Sequence, residues 1–333
     1  MKDPMRILIL ILILTLTLTS CFEEDELVPA HEQGNLEEGQ AALGSGYENQ
    51  VFFDLHGNME VSSNLISEWD LSFESSSGEW LIRLNSSKFM VAGNSYDTTF
   101  AANHNQTDLE MLFDSSDGNP DSTAIGTWFQ SDEDSTWSHR HVYLVDRGTD
   151  DQFKPVGLKK IRFEISGENY LIRFANPDNS SDTTILISRD PAKARIYFSL
   201  ENGIVDIAPL PHTWTLLFSK YTTMLVTNEG ENYPYLVMGA LLNPNGVTAA
   251  LDTIHNFMDM ELADTIDLEL SSRTDVIGYE WKYYNFDAGL YTIEPGLAYV
   301  IRDRDGFYYK LRFIDFYSDS GEKGYPKFEY IRL

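Results

Sequence analysis

The chain writes EWDLSF at Glu68–Phe73 and TWTLLF at Thr213–Phe218. Each stretch begins around one of only six tryptophans. Shifting 51–74 (VFFDLHGNMEVSSNLISEWDLSFE) onto 196–219 (IYFSLENGIVDIAPLPHTWTLLFS), without a gap, superposes Trp69 on Trp214. The same shift superposes Phe53 on Phe198, Leu55 on Leu200, Leu65 on Leu210, Leu71 on Leu216 and Phe73 on Phe218. Several of these positions lie two apart, the period of one strand face. A turn follows each leading strand, HGNM at 56–59 and ENGI at 201–204, both with the Gly and Asn that tight turns use.

Later stretches repeat in the same order. AIGTWF (124–129) answers VIGYEW (276–281), and HVYLVDRG (141–148) answers AYVIRDRDG (298–306). KKIRFEI (159–165) answers YKLRFIDF (309–316), and YLIRF (170–174) answers FEYIRL (328–333). Shared order over this many segments points to two related units, expected at 47–190 and 191–333. Val, Ile, Tyr, Phe and Thr alternate with polar residues between turn clusters such as 115–121 and 176–182, so the expected class is all-β with antiparallel sheets, sandwich- or barrel-like. Only 249–262 (AALDTIHNFMDMEL) offers a helical face, and a buried loop explains it nearly as well.

The N-terminus carries its own signals. MKDPMRILILILILTLTLTSC has Lys2 and Arg6, an apolar run from Ile7 to Leu18, and Ser20 before Cys21. That is the layout of a signal peptide over 1–20, and the run is shorter than the ~20 residues of a helical span. LTSC (18–21) resembles a bacterial lipobox, which implies cleavage before Cys21 and lipid on its thiol. Cys21 is the only cysteine, so an intrachain disulfide is excluded. Glu23, Glu24, Asp25 and Glu26 follow, resembling the acidic signal that sends some lipoproteins to the outer face of the outer membrane. The stretch 21–46 reads as a flexible tether.

With 52 acids against 24 bases the formal charge is -28. A field of that sign repels phosphate backbones and offers no basic stripe, so nucleic acid is not an expected partner. No G-x-S-x-G, H-E-x-x-H, P-loop or Rossmann glycine pattern occurs. The oxygen-rich loops at 114–121 and 303–306 lack full EF-hand spacing and read as turns.

The segments TWTLLFSKY (213–221), YLVMGALLN (235–243), IGYEWKYYNF (277–286) and the ending at 298–333 with GYPKFEY resemble the HmuY family. The resemblance is close in the second unit and thin in the first. It implies a surface lipoprotein of the kind found in Bacteroidetes, not an enzyme, that binds haem and passes it to an outer-membrane receptor. Iron takes one or two axial ligands, usually His or Met, and the propionates want cations. His31 lies in the tether and His56 in a turn. His104, in AANHNQTD, and His139 and His141, in WSHRHVYL, are the candidate ligands. Arg140 and Lys154, the latter opening KPVGLKK (154–160), are the candidate propionate partners. The second unit holds Pro295, Gly296 and Leu297 where the first has its histidine pair; its own reserve is His212, His255, Met258 and Met260, with core filling the ordinary use of the methionines. The alternative is a glycan- or protein-binding lipoprotein on the same fold, with Tyr283, Tyr284 and Tyr291 as a stacking surface.

Overall fold

The computed structural model describes residues 33–333. The expected signal peptide, Cys21, the acid run and His31 lie outside the described residues. Among the described residues there are 22 strands, and the helical segments are short 3-10 turns. The first eleven strands are β1 (Glu37–Gln40), β2 (Asn49–Asp54), β3 (Met59–Leu65), β4 (Leu71–Glu74), β5 (Ile82–Leu84), β6 (Val91–Asn94), β7 (Phe129–Ser131), β8 (Thr136–Ser138), β9 (Val142–Asp146), β10 (Leu158–Ser166) and β11 (Asn169–Ala175). Then come β12 (Thr183–Ile187), β13 (Arg195–Ser199), β14 (Gly203–Val205), β15 (Leu216–Val226), β16 (Asn232–Leu242), β17 (Thr248–Asp252), β18 (Lys282–Asn285), β19 (Leu290–Ile293), β20 (Ala298–Arg302), β21 (Tyr308–Tyr317) and β22 (Lys323–Arg332). The protein is all-β. The stretch 249–262, whose spacing allowed a helix, holds the end of β17 followed by turns.

The strands form two lobes, each with its own core. In the first, the sheet β12-β11-β10-β9-β6 faces the sheet β14-β13-β4-β5, with Phe73, Trp128, Phe163, Tyr170 and Phe198 among the buried residues. In the second, β1-β22-β21-β20-β17 faces β16-β15-β2-β3, over Phe53, Phe218, Trp281, Phe313 and Phe328. Trp281 and Phe313 stack with ring centroids 3.8 Å apart.

Neither lobe is a consecutive half of the chain. Strands β1, β2 and β3 sit in the second lobe, while β12, β13 and β14 sit in the first. The exchange is reciprocal. Phe53 pairs with Leu216 and Val51 with Phe218; residues 145 positions away, Phe198 pairs with Leu71 and Ile196 with Phe73. Asn85 Nδ2 donates to the carbonyls of Ile66 and Trp69 at 2.7 and 2.9 Å. Asn243 Nδ2 does the same to Pro211 and Trp214 at 2.7 and 2.8 Å. Trp69 is buried and Trp214 half-buried, and each meets an aromatic of the exchanged hairpin edge to face: Trp69 on Tyr197 at 4.9 Å and Trp214 on Phe52 at 5.0 Å.

This arrangement also shortens the tether. The chain was expected to stay loose through Gly46, but β1 pairs with β22 and Ala41 and Leu43 are fully buried. A Cβ at Gly39 would lie 2.5 Å from the Phe328 ring, so only glycine lets β1 dock there.

Candidate functional site

The sequence candidates fall mostly at one corner of the first lobe. Strands β6 and β9 pair antiparallel, Asn94 opposite Tyr143, so the chain leaving β6 meets the chain entering β9. Val142 N donates to Asp97 O at 2.8 Å and Ser95 N to Val142 O at 3.1 Å, which fixes that junction. His139 and His141 lie there with ring centroids 5.3 Å apart. Tyr96 packs edge-on to His141 at 5.5 Å, and Asn94 Nδ2 lies 3.3 Å from His141 Nδ1. Tyr96 and Arg140 both take left-handed backbone, φ 57° and 61°, a conformation costly for non-glycine residues and frequent at binding sites.

Burial, and then the neighbouring His139, hold the His141 imidazole below its ordinary range. It is therefore neutral at physiological pH, the form that binds metal. His104 lies on the same side, with Nε2 3.8 Å from the Asp97 carboxylate, too far for a hydrogen bond. That nitrogen is buried and has no hydrogen-bond partner. The three histidines do not converge as a metal triad: among the described residues no group of three His, Cys, Asp or Glu side chains is placed to hold an ion.

The expected propionate partners divide. Arg140 stands at this corner, more than half exposed, with Nη2 3.4 Å from Glu164. Lys154 belongs elsewhere. Its amide and Nζ are used within the 150–154 loop, by Asp150 and Gln152. That loop is anchored by Thr149 N on Lys88 O beyond the far end of β9, so the lysine does not join the histidines. Asn94, Tyr96 and Tyr143 went unnoticed in the sequence; the only signal was the Asn-Ser-Tyr run leaving a strand.

The second lobe offers no equivalent. His255 Nδ1 is 2.7 Å from Asp252, with Asp264 at 3.8 Å from Nε2. The Asp252 hydrogen bond raises its pKa, which favours imidazolium, a non-ligand. Met260 is buried in the core and Met258 is exposed. The two oxygen-rich loops are Asx turns: Asp117 accepts from Asn119 N at 2.9 Å, and Asp303 accepts from Asp305 N and Phe307 N at 3.0 and 2.8 Å. The β18–β19 hairpin carries an exposed aromatic group, with Tyr284 5.2 Å from both Phe286 and Tyr291.

Residues 191–330 match the model of the HmuY protein. The resemblance read from the C-terminal segments is thus borne out over that span, and HmuY family proteins are binding proteins rather than enzymes. Because β12 lies before the match and β1–β3 complete the second lobe, the HmuY-matching span is not a closed structural body. Among solved structures, the chain is similar to apo PinO from Porphyromonas gingivitis at 11% identity and TM-score 0.29, covering 90% of this chain and 98% of that one. It is similar to the apo HmuY analog (TFO) of Tannerella forsythia at 11% identity and TM-score 0.25, covering 91% of this chain and 99% of that one. No curated protein sequence matches the chain.

Proposed function

We propose that this HmuY-like protein is a non-enzymatic surface lipoprotein, anchored in the outer membrane through Cys21, that binds haem or a related porphyrin for uptake. The observation that carries the reading is the His139–His141 pair, with rings 5.3 Å apart and His141 kept neutral by burial. The residues present fit iron ligation: a neutral imidazole beside a second histidine, and the unpartnered buried Nε2 of His104. Bound haem would supply an iron centre that takes one or two axial ligands. His141 or His139 would hold it, Tyr96 would flank the ligand, and Arg140 at the rim would meet a propionate. The resemblance to HmuY further implies delivery to an outer-membrane receptor. Haemin titration of the wild type against His139→Ala and His141→Ala tests the site.

A second reading is favoured by the exposed hairpin aromatics Tyr283, Tyr284 and Phe286. These would suit stacking on a glycan or a protein partner, and that reading replaces the first if haemin does not bind.

A further inference from the structure

A half-open cavity of about 150 Å³ lies where the two lobes meet. Its lining comes from both exchanged hairpins and both tryptophan positions. Two cross-strand rows face it. In the first lobe Tyr197 pairs with Ser72, and Ser72 with Arg83. In the second, Phe52 pairs with Leu217, and Leu217 with Leu241. The two rows hold corresponding places in their sheets but differ in chemistry. One is apolar throughout; the other ends in a guanidinium.

Arg83 is 8% exposed. One nitrogen, Nη2, donates to Gly118 O at 2.5 Å, but its buried Nε has no partner. Asp114, the acid lining the cavity, is already engaged by the amides of Leu84 and Ala124, both at 2.8 Å. Arg195 and Lys193 line the same space, with their carboxylates Glu74 at 3.8 Å and Asp206 on the exposed side. The lining itself carries four cations, Arg83, Lys193, Arg195 and Lys220, against the one carboxylate of Asp114, beside an aromatic wall of Phe52, Trp69 and Trp214; Glu74, Asp117 and Asp206 stand behind the cations. An unmet buried guanidinium N–H costs stability that a ligand oxygen would recover, and Arg binds carboxylates with directional, charge-assisted bonds.

We propose that this cavity is a second binding site, for a small carboxylate with an apolar body of about one ring, its carboxylate on Arg83 and its body against the Phe52–Leu217–Leu241 row. The volume suits one ring: a dry cavity of ~150 Å³ in another protein admits benzene. This site is independent of the histidine corner and of the haem reading.

The test is calorimetric titration of the full chain in detergent, with tryptophan fluorescence as a second readout. Benzoate is the probe, benzyl alcohol the neutral analogue and inorganic phosphate the anion without a body. We expect saturable one-to-one benzoate binding at or below about 1 mM, at least about tenfold weaker benzyl alcohol, and no saturation with phosphate. Arg83→Met should weaken benzoate about tenfold or more. Leu241→Phe, which fills the cavity from the apolar side and leaves the cations in place, should abolish binding even if the Arg83 variant fails to fold. Absence of benzoate saturation overturns the proposal. So does benzyl alcohol or phosphate binding as well as benzoate, or Leu241→Phe binding normally.

Discussion

Replacing Asp70 by Asn should loosen the joint that holds the exchanged β13–β14 hairpin on the first lobe. Asp70 is 1% exposed. It accepts from Lys88 Nζ at 2.6 Å, from Arg147 Nε and Nη2 at 3.2 and 3.0 Å, and from Leu200 N at 2.8 Å. Leu200 follows β13, so the carboxylate ties the second half of the chain to the first. Burial alone pushes this carboxyl up, but the charges and hydrogen bonds of Lys88 and Arg147 outweigh it and hold it below the ordinary range. The Asn variant strands two buried cations, Lys88 at 3% and Arg147 at 6% exposure. Glu201 still reaches Arg147 at 2.9 Å, but Lys88 has no second carboxylate among the described residues. Removing one member of a buried ion group costs about 3–5 kcal/mol, or on the order of 10 °C in Tm for a chain of this size. The position one shift away is a natural comparison: Thr215 Oγ1 accepts from Leu55 N at 3.3 Å, and Thr215→Val should cost only about 1 kcal/mol. Since the folded pKa of Asp70 is depressed, its contribution is present above the unfolded value and is lost as pH falls through the folded one. Urea unfolding of both variants at pH 7 and at about pH 3, below the unfolded carboxylate value, measures this. If Asp70→Asn costs no more than Thr215→Val at pH 7, the reasoning about the buried ion group is wrong.

Burial pulls Lys282 down to about 7, so between pH 7 and the usual lysine range the unfolded chain holds the extra proton and stability rises with pH; Lys282→Met should therefore raise Tm more at pH 6 than at pH 9, and an equal gain at both would contradict it. A protease site placed in the exposed turn at 176–182 should yield two fragments that co-elute on gel filtration, because three strands of each half lie in the other's lobe; separation into two folded pieces without denaturant would refute the exchange. Palmitate labelling of cells should mark the wild type and not Cys21→Ala, and equal labelling would remove the anchor.

Much of the fold was legible because β alternation survives in single sequences. Phe53, Leu71 and Phe73, aligned with Phe198, Leu216 and Phe218 as one strand face in each unit, are buried residues of paired strands. Partner choice was not legible. Nothing local distinguishes Phe53 pairing with Leu71 from Phe53 pairing with Leu216, since both present the same apolar face; the exchange is decided by tertiary closure. The docking of β1 was hidden by its composition, EEGQ, in which only Gly39 turns inward. At the candidate site, His139 and His141 could be placed together because they are two apart beside a strand. Lys154 could not be excluded, because the basic run at 154–160 spans a turn and the start of β10, and only the fold shows that it belongs to the far end of β9.

Haemin titration of residues 22–333, followed by absorbance in the Soret region, tests haem binding at the His139–His141 corner. The expected result is a sharpened, saturable band that weakens in His141→Ala and fades as pH falls. Because His141 is held below the ordinary histidine range, the loss should set in below pH ~6.5 rather than at it. No saturable band under either oxidised or reduced conditions would contradict the function, and a band unchanged after loss of His104, His139 and His141 together would contradict the site.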